Sequence, residues 1–131
     1  MRAKDIDMDL NPRLAPGRQL IQAYGDGGFL IAGQRWCGSV LVFPEATQAW
    51  ACADIAALGL EALAPVIAAA PIPELLLVGC GPALRPLPPT VRAGLAAAGV
   101  RVETMDTGAA CRTFNVLLTE DRRIAAALFA V

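Results

Sequence analysis

Leu75-Leu76-Leu77-Val78-Gly79-Cys80-Gly81 is a short apolar run closed by two glycines. Its length and its turn-forming end mark a buried strand. Downstream, Pro88 and Pro89 stand where a helix can begin and Gly99 where one can end. Val91, Leu95 and Ala98 fall on one face of that helix. Val100 to Glu103 reads as a second strand, and Thr107 as the N-cap of a helix running to about Leu118. Strand, helix, strand and helix in succession predict a βαβ layer containing a parallel pair. The last run, Ile124 to Val131, is ambiguous: its alanines favour a helix and its brevity a strand.

Upstream of Leu75 the pattern changes. Leu60 to Ala70 reads as helix, with Pro65 an irregularity unless the helix starts late. Leu20 to Tyr24 and Phe29 to Ala32 flank Gly25-Asp26-Gly27-Gly28, a strong hairpin signal. A third apolar run, Val40 to Phe43, is stopped by Pro44, and a further short strand falls at Ala49 to Ala53. These segments predict an antiparallel meander. Met1 to Gly17 is polar and contains proline, and reads as an extended arm. The expected fold is one α/β domain over residues 1–131. It has a mixed central sheet, antiparallel strands at its N-terminal side, a βαβ-type second half, and helices packed on the sheet.

The chain has 131 residues, of which 56% are hydrophobic and 18% charged, which suits one folded domain and excludes compositional disorder. Its net charge of −1 gives no general attraction to nucleic acid or anionic lipid. The most apolar region is interrupted by Glu61, Pro65, Pro71, Pro73 and Glu74, so no transmembrane segment is expected. Asp5, Asp7 and Asp9 argue against an organellar transit peptide, and no apolar signal core precedes the fold. A cytoplasmic location follows, and the richness in Ala, Gly, Arg and Pro suits a GC-rich bacterial genome. Cys37, Cys52, Cys80 and Cys111 are widely spaced and there is no histidine, so the expectation is reduced, mostly buried thiols, with no metal site and no cofactor.

The catalytic options are narrow. Without histidine, neither a Ser-His-Asp nor a Cys-His pair can form, and Ser39 is the only serine. Cys80, between glycines at a strand end, is the best placed thiol, although such a residue is more often a small buried hydrophobe in a tight turn. Cys111 lies early in a helix but shares a face with Leu118, which points to burial. A dinucleotide fingerprint lacks its third glycine, since Leu84 stands there, and Pro82 and Pro86 remove amides a phosphate would need. No catalytic residue is assigned. The polar residues Thr107, Arg112, Thr113, Asn115, Glu120 and Arg122 can line a pocket beside Gly79, Cys80 and Gly81, where α/β sheets commonly bind ligands. The competing reading makes them an internal network that ties down backbone.

Several of these stretches carry a family likeness. Leu75 to Gly81, Pro86-Leu87-Pro88 and Ala98 to Glu103 contribute to it, as do Tyr24-Gly25, Phe29, Gly38-Ser39-Val40 and Pro44. Its most specific parts are Met105 to Leu117 and Glu120 to Leu128. The chain resembles the domain of unknown function 498/598 family, which includes the mitochondrial respiratory complex I assembly factor 3. The resemblance implies a compact α/β domain with a mixed central sheet, and a strand over Ile124 to Val131. It also implies no established enzymatic activity, an assembly role at partner proteins near a membrane, and, for bacterial members, genes often beside protein-export genes. The family commonly has threonine where this chain has Cys80, so a hydrogen bond from that hydroxyl is weakened here.

The sequence reading therefore favours a non-enzymatic, assembly-factor-like, protein-binding module linked to membrane protein complexes. Its expected contact surface is the pair of apolar helices at 60–70 and 89–98, whose only charges are Glu61 and Arg92. Either a protein partner or a second copy fits that surface. The alternative is a small-molecule binder or enzyme using the Gly79–Gly81 and Thr107–Arg122 crevice.

Overall fold

The computed structural model describes residues 15–131. Most of the arm expected over residues 1–17 therefore lies outside the described residues. The described chain opens with two tight hairpins. Strand β1 (Ile21–Gly25) pairs antiparallel with β2 (Gly28–Ile31) across Asp26 and Gly27, whose φ values are +54° and +78°. Both central residues are left-handed, as a type I′ turn requires. Ala32 and Gly33 repeat the device at φ +50° and +82°, and join β2 to β3 (Gln34–Cys37). The expected Gly25–Gly28 hairpin is present. Strand β3 has no apolar run to announce it and is specified by the second turn.

The third apolar run leaves this meander, which corrects the expectation of one continuous antiparallel unit. Gly38, at φ +85°, turns the chain, and β4 (Val40–Phe43) enters a second sheet. Val40, Leu41 and Val42 are all buried. A strand apolar on both sides fits the middle of a covered sheet and not a three-stranded ribbon with one open face. Pro44 and Glu45 then connect β4 to β5, which spans Ala46–Ala49 and not Ala49 to Ala53.

The main sheet has the order β5-β4-β8-β6-β7. Strand β6 (Leu75–Gly79) pairs parallel with both β7 (Arg101–Met105) and β8 (Ile124–Leu128), whereas β4 runs antiparallel to β8. The sheet is therefore mixed, and the ambiguous last run is a strand, as the family likeness implied. Strand alternation separates two cores. Leu41, Leu76, Val78, Ala125 and Ala127 face one, and Val40, Val42, Leu75, Leu77, Ala126 and Leu128 face the other.

The first core is covered by two 3₁₀ turns (Ile55–Ala57 and Leu60–Leu63), the short helix α1 (Ala64–Ile67) and α2 (Pro89–Ala97). The predicted helix over Leu60 to Ala70 is thus shorter and starts late. Pro65 has no N–H to give the Glu61 carbonyl, so an α-helix cannot run from residue 60. The Ala64 N–H bonds that carbonyl instead, closing a 3₁₀ turn. In α2, Val91 and Leu95 are fully buried, and Gly99 (φ +84°) follows its end.

The second core is covered by α3 (Thr107–Thr119) and the inner face of the hairpin sheet. Phe114 and Leu118 insert from α3, and Phe29 and Ile31 from β2. The N-cap of α3 is Asp106, whose carboxylate accepts from the Ala109 N–H at 2.8 Å. Thr107, read above as the cap, is the first helical residue, and its side chain lies in the protein interior.

Candidate functional site

The successive crossovers pass on opposite faces of the sheet: α2 links β6 to β7 on one, and α3 links β7 to β8 on the other. Where crossovers diverge, the carboxyl ends of neighbouring parallel strands normally leave a ligand crevice. That place lies here at the ends of β6 and β7, where the segments that follow the two strands stay hydrogen-bonded and the Thr107 side chain reaches over the end of β6 toward β8. The Thr107 side chain is fully buried. Its hydroxyl donates to the Phe129 carbonyl at 2.8 Å and accepts the Gly81 N–H at 2.9 Å. Its own N–H donates to the Gly81 carbonyl at 2.9 Å. The Cys80 N–H bonds the Met105 carbonyl, and the Phe129 N–H bonds the Gly79 carbonyl.

Gly79 is required by this closeness, because a Cβ there would lie 2.9 Å from the Thr107 Cα and 3.0 Å from Leu128. Gly81 serves a different need, since its φ of +103° disfavours any side chain. Cys80 is 4% exposed, and its thiol donates to the Arg85 carbonyl at 3.2 Å. A thiol is a weak donor, so the loop that continues from the glycine turn keeps a tie here, in weaker form than a hydroxyl would make.

The remaining candidates occupy other places. Asn115 brackets a single residue of β1: its amide oxygen accepts the Ile21 N–H at 2.9 Å, and its amide nitrogen donates to the Ile21 carbonyl at 2.8 Å. This pair imitates a strand ladder and fastens the hairpin sheet to α3. Arg112 is exposed and donates to the Tyr24 hydroxyl at 3.2 Å. Thr113 donates to the Met105 sulfur at 3.6 Å. Glu120 and Arg122 pair with each other at 3.9 Å, with both side chains about half exposed. Gly79, Cys80, Gly81 and Thr107 are thus gathered. Glu120 and Arg122 lie beyond the far end of a 13-residue helix, about 18 Å along its axis.

The thiols divide by burial. Burial pushes the Cys111 thiol up to about 12 from its ordinary 9.0, the Arg112 charge opposing the rise and Asp106 adding to it. Burial also raises the Cys52 thiol. Cys37 is exposed and Cys80 buried. Two of the four therefore match the expectation of buried cysteine, and Cys111 lies with Leu118 in the second core, as their spacing implied.

Sequence reasoning passed over Arg18, which it placed next to the arm. Its side chain is only 13% exposed and reaches the Leu118 carbonyl at 3.3 Å and Asp121 at 3.4 Å. Arg18 also lines a cleft of about 370 Å³, together with Phe43, Pro71, Pro73, Ile124 and the candidate Arg122. No periodicity marks such a residue; only the juxtaposition of distant segments reveals it.

These features define a mixed α/β domain, covered on both faces, with a buried threonine tying together the chain segments that follow β6 and β8. The chain belongs to the family described as Protein of unknown function (DUF498/DUF598), whose profile matches residues 21–129. An uncharacterized protein of Rhodobacter capsulatus is 41% identical over 108 residues, covering 82% of each chain. The NADH dehydrogenase [ubiquinone] 1 alpha subcomplex assembly factor 3 of Xenopus tropicalis is 37% identical over 108 residues, covering 82% of this chain. The match spans only 59% of that assembly factor's length. Among solved structures, a Bartonella henselae protein described as an outer membrane protein superposes with a TM-score of 0.82 at 41% identity, covering 88% of this chain and 98% of that one.

Proposed function

We propose that this chain is a non-enzymatic protein-binding module of the assembly-factor type, acting from the cytoplasm in the building of membrane protein complexes. The observation that carries the reading is the 37% identity to an assembly factor over 108 residues, a span as long as the folded domain itself. The interior chemistry supports the non-catalytic part. The hydroxyl of Thr107, the amide of Asn115 and the thiol of Cys80 are all engaged with main-chain groups. A general base or nucleophile needs a free partner atom near substrate.

The contact surface in this reading is the flank formed by residues 60–70 and 89–98. Ala64, Ala68, Ala93, Ala96 and Ala97 are exposed there, and the only charged residues are Glu61 and Arg92. A smooth apolar flank is suited to close approach by a partner protein. Among the described residues no helix is long and apolar enough to cross a membrane.

The test is deletion of the gene in its host, with native gel electrophoresis of the membrane NADH dehydrogenase. The expected result is less full-size complex and more subassembly. The wild-type gene restores the complex, and a gene carrying Ala93→Asp and Ala97→Asp does not. Unchanged complex levels in the deletion strain overturn the reading.

A further inference from the structure

Among the described residues β7 is an end strand of the main sheet, paired only with β6. Two hydrogen bonds establish which of its main-chain groups are used. The Arg101 N–H donates to the Glu74 carbonyl at 3.0 Å, and the Met105 carbonyl accepts the Cys80 N–H at 2.8 Å. The backbone groups of Arg101, Glu103 and Met105 therefore face β6, and those of Val102 and Thr104 face outward. An open row of this kind is a template for another strand unless the side chains forbid it. Arg101 and Glu103 project from one face and stay largely exposed, 3.9 Å from each other. Helix α3 packs chiefly over β6 and β8 and leaves that corner uncovered.

We propose that this edge pairs antiparallel with the same edge of a second copy of the chain, about a two-fold axis at Val102. In that register the outward groups of Val102 meet those of the partner's Val102. Arg101 stands opposite the partner's Glu103, and Glu103 opposite the partner's Arg101. These two positions are non-hydrogen-bonded pairs, in which side chains come closest. Other registers with the same hydrogen-bond parity are worse. An axis at Glu103 sets two glutamates face to face, one at Arg101 sets two arginines face to face, and one at Thr104 leaves both charges without an opposite. The Arg-x-Glu spacing is thus self-complementary in one alignment, and it selects an isologous contact. The inference goes beyond the interaction reading above and does not require it, because it uses the sheet edge and not the alanine flank.

Sedimentation velocity of the full chain, from micromolar to millimolar concentration at low salt, tests it. A monomer–dimer equilibrium is expected. R101E and E103R should each weaken it about tenfold by placing like charges opposite each other. The double variant R101E/E103R should recover the wild-type dissociation constant. V102P removes an outward N–H without breaking a bond to β6, and should abolish the dimer while leaving the thermal melt of the monomer in place. If V102P fails to fold, the charge series alone decides. A monomer at every concentration means that the charges guard the edge, and overturns the inference. A dimer indifferent to the charge variants, or a double variant that does not recover, overturns it as well. Loss of the assembly phenotype in Ala93→Asp/Ala97→Asp has no bearing on this equilibrium, so the two readings fail separately.

Discussion

The two faces of the main sheet are closed by different means. On one, a single 13-residue helix lies over the strands and is tied at three heights: Thr107 to the ends of β6 and β8, Asn115 to Ile21, and the Leu118 carbonyl to Arg18. On the other, short 3₁₀ turns and two modest helices are held mainly by apolar packing. A part-buried polar tie there is the Trp50 indole N–H on the Ala62 carbonyl at 2.8 Å, beside a tilted Trp50–Phe129 ring contact. Hydrogen bonds are directional and apolar contact is not. The tied face therefore specifies position, while the packed face tolerates irregular segments and leaves alanines in solvent. The contact surface proposed above lies on the second face, while the polar side chains Thr107 and Asn115 of the first are engaged with main-chain groups.

The contrast can be broken most forcefully at its apolar centre. Phe114→Ala should cost about 4 kcal/mol of unfolding free energy, and Leu95→Ala on the packed face about 3 kcal/mol, measured by urea denaturation. If the packed face proves the costlier of the two, the contrast fails. The ties come next. Thr107→Val leaves the Gly81 N–H and the Phe129 carbonyl buried without partners and should cost about 3 kcal/mol, with Thr107→Ser costing much less. Asn115→Ala frees both main-chain groups of Ile21 near solvent and should cost about 2 kcal/mol. Arg112→Ala, by contrast, should stay within about 0.5 kcal/mol. Hydrogen exchange of the β1–β2 hairpin should rise in Asn115→Ala and stay unchanged in Arg112→Ala.

The smallest effect at neutral pH concerns the thiols. Cys111 in the folded state is pushed up to about 12, so the folded chain holds that proton more tightly than the unfolded one. The stability this supplies is complete below the ordinary 9.0 and is lost as pH rises from there toward about 12. Unfolding curves taken across that window should decline less steeply for Cys111→Ala than for wild type. At neutral pH a thiol reagent should modify Cys37 first, and reach Cys80 and Cys111 only on unfolding, because thiolate and access are both needed. Fast modification of Cys111 in the folded protein would mean that the tied face opens readily.

Much of this architecture is legible in local chemistry. The Asp26-Gly27 turn, the strand at Leu75, the helix Pro89–Ala97 and the α3 helix all stand where spacing and turn residues put them. What was hidden has a common cause. Strand β3 lacks apolar alternation, and β4 changes sheets because both of its faces are buried, which no window of sequence records. The candidate residues of α3 stand out in the sequence as polar positions on an otherwise apolar helix. Their separation along 13 residues of helix, however, depends on which wall each side chain meets.

Turn glycines, prolines and apolar runs act over a few residues, so the chain alone declares most of its elements, its mixed α/β class and its lack of histidine. Whether Thr107 caps a helix or seals a strand end, whether Asn115 serves a ligand or Ile21, and where Arg18 belongs are matters of contact between segments some 20 to 100 residues apart. Those contacts exist only once burial has brought the segments together, because a buried polar group takes whichever partner the packing leaves within reach.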